Sequence, residues 1–134
     1  MTYLQLNKKH ENEISSLPLF FAFSDKQFED GMKKLNVNDK SELYKLSNTG
    51  GFYKKTDSKL IIDTLEIQSQ EKEAFLLDKT NLINALIYEL NNHEYCITGD
   101  ISDTLEALNI DINNLTDLQK ECIKEAKKTY NSFN

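Results

Sequence analysis

The chain has 134 residues, one proline, four glycines, 39% hydrophobic residues and a formal charge of −6, a size that suits one domain, 1–134, with its own core. Leucine, isoleucine and phenylalanine are too plentiful for a disordered polymer, and no apolar run approaches the roughly 20 residues of a membrane span. Arginine is absent, so the forked donor that grips phosphate and guanine is missing, and in a net-negative chain this argues against direct sequence-specific nucleic-acid binding.

Residues 3–16 show no clean period; Tyr3, Leu4, Leu6 and Ile14 fit a strand or a loose helix. The apolar run Leu19 to Phe23, after Pro18, reads as a buried strand, with Phe20, Phe21, Phe23 and Phe52 assigned to the core. Ser24 and Gln27 have the spacing of a capping box, which opens a helix with Phe28, Met32 and Leu35 on one stripe. Leu43–Ser47 and Phe52–Lys55 flank Asn48-Thr49-Gly50-Gly51, and this predicts a hairpin whose turn uses glycine for positive φ. Asp57 is read as the cap of a helix running to about Leu77, with Leu60, Ile61, Thr64 and Leu65 inward and the polar stretch Gln68–Glu73 loosened. Thr80 is read as the cap of the next helix, where Leu82, Leu86 and Leu90 beside Ile83 and Ile87 give the strongest helical period in the chain.

Glu94–Thr98 predicts a strand with Tyr95 and Ile97 on one face and Cys96 on the other. Gly99-Asp100 turns the chain, and Ser102 opens a short helix carrying Leu105 and Leu108. Thr116 and Gln119 form a second capping box, ahead of a last helix that buries Leu115, Leu118, Cys122, Ile123, Ala126 and Tyr130. About five helices and three to four short strands that do not alternate regularly place the chain in the α+β class, with a small, mostly antiparallel sheet covered by helices.

Two cysteines make no disulfide framework, and the N-terminus lacks the layout of a signal peptide. The expectation is a cytoplasmic protein with reduced thiols. No motif implies a cofactor. His93, Cys96 and Asp100 could serve a thiol–histidine enzyme or a metal site. However, residues three apart on a strand face opposite ways, and zinc sites normally show two ligand pairs. A calcium loop starting at Asp100 fails as well, because its sixth position is Leu105 and its twelfth is Asp111.

Charge is the more informative signal. Between Thr80 and Gln119 there are seven carboxylates and no lysine. A one-signed face of this kind selects partners of opposite charge. The expected partner-binding residues are Tyr88, Glu89, His93, Glu94, Tyr95, Asp100, Asp103, Glu106 and Asp111, and the expected partner is a protein with a basic surface. A homodimer through helix 80–92 or 116–131 is a further reading.

The run from Asn84 to Asn109 contains Tyr88-Glu89-Leu90, then Asn92-His93-Glu94-Tyr95-Cys96-Ile97-Thr98, Asp100, and Leu105-Glu106-Ala107-Leu108. Together with Pro18 to Gly31, where an apolar strand leads into Ser-Asp-Lys-Gln-Phe-Glu-Asp-Gly, it resembles a family of small uncharacterised proteins. These occur in Gram-positive bacteria, their phages and mobile elements. The resemblance implies no activity; it implies a cytosolic accessory protein. Small acidic proteins in that setting often block host defence nucleases, CRISPR effectors included, so by analogy it implies an anti-defence inhibitor.

Overall fold

The computed structural model describes residues 1–47, 49–93 and 100–133. Its helices are α1 (Tyr3–Ser15), α2 (Asp25–Lys34), α3 (Ser58–Phe75), α4 (Lys79–Asn92), α5 (Ser102–Ala107) and α6 (Asp117–Phe133), and its strands are β1 (Leu19–Phe21), β2 (Leu43–Leu46) and β3 (Gly51–Lys54). The described residues thus form six helices and one three-stranded antiparallel sheet, an α+β fold as the sequence predicted. None of these helices is long and apolar enough to cross a membrane. The chain divides into two compact units: Met1–Asn7 with Gln70–Asn134, here the first unit, and Lys8–Ser69, the second.

In the second unit the strands run in the order β1-β3-β2. Phe20 pairs with Phe52 across β1 and β3, and Tyr44 with Tyr53 across β2 and β3. The predicted hairpin forms, and Gly50 adopts the positive φ of 78° that its turn needs. Asn48 lies outside the described residues. Side chains alternate across a strand, so the phenylalanine run does not all turn inward as expected. Phe20 is buried, whereas Phe21 is 46% exposed and Phe23, beyond the strand, is 78% exposed. Phe20, Leu35 and Val37 form one small core, with Phe28, Met32 and Phe52 against it. A second small core joins Leu19, Tyr53 and Ile61.

The Ser24 hydroxyl accepts the Gln27 N–H at 3.2 Å, as the capping pattern requires, while the Gln27 amide oxygen accepts from Phe23 N–H at 2.7 Å. Asp57 is not a cap. It ends a 3₁₀ turn, Lys55–Asp57, that leads into α3, and the Ser58 hydroxyl donates back to the Lys55 carbonyl at 2.7 Å. Leu60 is half-exposed while Ile61 is fully buried, a narrower stripe than expected. The Gln68–Glu73 stretch is unbroken helix. Buried Gln68 donates to the His10 carbonyl at 3.1 Å and to Glu13 at 3.0 Å, which gives its amide the partners that burial demands.

The first unit is built around α4. Leu82, Leu86 and Leu90 are all buried, as their spacing predicted, and join Tyr3, Leu105, Leu108, Cys122, Ala126 and Tyr130 in the largest core cluster. The unperiodic N-terminal stretch is α1, whose Tyr3 reaches this cluster while Leu4 faces solvent. Asp78, not Thr80, caps α4, accepting the Asn81 N–H at 2.9 Å; a carboxylate two residues ahead of the threonine reaches the orphan donors first. Ahead of α6 the capping box forms in both directions. Gln119 N–H donates to the Thr116 hydroxyl at 3.1 Å, and Thr116 N–H to the Gln119 side chain at 2.9 Å. The strand expected at Glu94–Thr98 lies outside the described residues.

Candidate interaction surface

The net charge of the chain belongs to one unit. Twelve carboxylates and six lysines fall in the first unit, a balance of −6, while the second holds ten of each. Within the first unit the exposed acids of the predicted set are Asp100, Asp103, Glu106 and Asp111, with Asp117 beside them in sequence order. Asp103 stands in the first turn of α5, where negative charge complements the helix dipole. Glu106 lies one turn on, and with Asp111 it lines an open recess of about 430 Å³ that also has Ser102, Leu105, Ile110 and half-exposed Ile112 around it. Glu106 and Asp111 thus line the same recess.

Two of these acids are held by their own loops. Asp100 accepts the Ser102 N–H at 2.8 Å, and that bond holds its carboxyl below the usual carboxylate range. Asp111 accepts from the Asn114 side chain at 2.8 Å and from the Asn113 N–H at 2.9 Å, with the same consequence. Hydrogen bonds to the charged form favour it, so both stay ionised into mild acid.

Glu89 departs from expectation. It is 7% exposed. Its Oε1 accepts the Tyr3 hydroxyl at 2.7 Å and its Oε2 lies 3.1 Å from His93 Nε2. The reason lies in the helical period. Position 89 falls one turn after Ala85 and Leu86 on the buried stripe of α4, a spacing present in the sequence but masked by the residue's charge. Lys72 lies on the same side. It donates to the Ala107 carbonyl at 2.7 Å, at the C-terminus of α5, and places its ammonium 5.9 Å from the Tyr3 ring. Burial lowers the Lys72 pKa, with Glu89 opposing. Burial, then the bond to Glu89, push the Tyr3 hydroxyl far above its ordinary pKa, so it remains a donor. Tyr3 and Lys72 were not among the predicted site residues.

This cluster carries a prediction. Tyr3→Phe keeps the ring, and its edge-to-face contact with Tyr88 at 5.7 Å, but removes a donor from a buried carboxylate. The expected loss is about 1–3 kcal/mol of unfolding free energy, measured by urea denaturation. A change under about 0.5 kcal/mol would show that the hydroxyl does no more there than water does.

His93 ends α4, and its backbone N–H bonds the Glu89 carbonyl. Tyr88 is 36% exposed at the edge of the core. Glu94 and Tyr95 lie outside the described residues, and so does Cys96, the thiol of the alternative thiol–histidine reading. Cys122 is fully buried, and burial raises its pKa, the opposite of what a reactive thiolate requires.

Neither a search of curated proteins nor one of solved structures returns a match to the chain. A family model does match, over residues 2–131. The chain belongs to that family, DUF7659, a family of unknown function.

Proposed function

We propose that the protein is a non-enzymatic binding module whose first unit docks, through the acids following α4, on a lysine- or arginine-rich surface of a protein partner. The observation that carries this reading is the confinement of the whole formal charge of −6 to that unit, with Asp103, Glu106 and Asp111 exposed. Complementary charge accelerates encounter and selects partners. In its most specific form the partner is a defence nuclease, and the carboxylates occupy the groove that nucleic acid would otherwise fill. Asp100 and Asp111 are fixed by their own backbone contacts, which lowers the ordering cost of presenting them.

The test begins by capturing partners on the immobilised chain at low salt and identifying them by mass spectrometry. The dissociation constant of the captured protein should then rise steeply with salt, because exposed charges are screened over about 10 Å at 0.1 M. Reversing two exposed charges, Asp103→Lys with Glu106→Lys, should weaken it at least tenfold, about 1.4 kcal/mol. An affinity indifferent to both salt and charge reversal would remove this reading.

A further inference from the structure

The second unit carries a groove that the acidic surface does not involve. Two adjoining open recesses, of about 330 Å³ and 650 Å³, share Asp25, Phe28 and Lys40, and each lies within the roughly 300–1,000 Å³ of ordinary ligand clefts. One end is walled by Phe23, Phe28 and Phe52. The other is rimmed by Glu29 and Asp39, beyond Met32.

The walls are preset. Phe28 meets Phe52 edge-on with centroids 5.0 Å apart, and both touch the buried Phe20. Phe23 is 78% exposed, yet its ring lies against Gly50, where an added Cβ would come within 2.5 Å of it. Its backbone is tied by the bond from Phe23 N–H to the Gln27 side chain.

Charge decides what fits. Three acidic residues, Asp25, Glu29 and Asp39, and one lysine, Lys40, line the groove. An anion would meet net negative charge, whereas a cation would meet carboxylates together with the negative faces of aromatic rings. The chain already places one cation there, since Lys40 Nζ lies over the Phe28 ring, 6.0 Å from its centroid. We propose that this groove binds a lysine or arginine side chain of a basic protein segment, and that Lys40 holds the place of that cation in the free chain.

The experiment is a ¹H–¹⁵N NMR titration of the full chain with N-acetyl-arginine amide. N-acetyl-norleucine amide serves as the neutral control and inorganic phosphate as the anionic one. The arginine probe should shift the amide signals of Phe23, Phe28, Lys40 and Phe52, while norleucine and phosphate leave them in place. Phe23→Ala, at an exposed position, should weaken the probe about two- to fivefold, the worth of one exposed cation–π contact. Lys40→Ala removes the internal competitor and should tighten it by a similar factor. Lys40→Ala weakening the probe would overturn the proposal. So would phosphate moving these signals, or the absence of any shift in both the native chain and Lys40→Ala at millimolar probe.

Discussion

Gly31→Ala is expected to destabilise the second unit by about 1–3 kcal/mol, the usual cost of overpacking a filled core. Helix propensity alone predicts the opposite sign, because alanine inside a helix is favoured over glycine by about 1 kcal/mol. Gly31 sits inside α2, and an added Cβ would lie 2.1 Å from Phe20 Cδ2 and 2.4 Å from Cε2 and Cγ. Phe20 cannot easily swing away. It is 5% exposed, stacked on Phe52 at 5.5 Å and set edge-to-face with Phe28 at 5.7 Å. Amide hydrogen exchange read at β3, which pairs with β1 through Phe52 and Phe20, reports the second unit by itself. Protection in β3 equal to or above that of the native chain would mean that the aromatic cluster repacks without cost, and the account of this core would then be wrong.

Leu86→Ala should cost more, about 2–5 kcal/mol, by removing buried methyl groups and leaving a void. Leu86 is 2% exposed in the main core cluster, beside Leu82, Leu90, Leu105, Cys122 and Ala126. It already borders a small void, with a volume of about 10 Å³, lined also by Leu90, Thr104 and Ile123. Truncation would enlarge that void, and helices on several sides limit its collapse. Leu86→Met keeps the volume and should cost under about 1.5 kcal/mol. The comparison is made by urea denaturation, with amide exchange in α4 as the local readout. Similar values for the two variants would show that the site relaxes freely. Because α5 packs through Leu105 on the same cluster and carries Asp103 and Glu106, Leu86→Ala should also weaken binding to any partner of the acidic face.

Signals that act within one turn of helix or one hairpin could be read directly. The Thr116–Gln119 and Ser24–Gln27 pairs are both separated by three residues; the first closes in both directions, while in the second Ser24 accepts the Gln27 N–H but the Gln27 side chain takes the Phe23 N–H in place of that of Ser24. The leucine stripe of α4 is a matter of period, and the glycine turn is a matter of φ. Where a neighbouring residue or turn can take the same local role, spacing alone does not decide: Asp78 caps α4 in place of Thr80, and a 3₁₀ turn takes in Asp57 ahead of α3. N-terminal α1 lacked a clean period because its inward residues are few, Tyr3 and Leu6 being buried while Leu4 is exposed.

By itself the sequence determined the α+β class, the main helix face, the capping box ahead of α6 and the acidity of the segment after α4, since each depends on neighbours a few positions apart. Only the tertiary structure decided which charged and aromatic side chains are available. Tyr3 and Glu89 are 86 positions apart, and their contact turns one of the expected surface acids into a core group. Phe23 stays outside, laid against Gly50, while Phe20 fills the space that Gly31 leaves open. Such pairings depend on how surfaces fit across distant parts of the chain, where volume, burial and the need to satisfy a carboxylate act together.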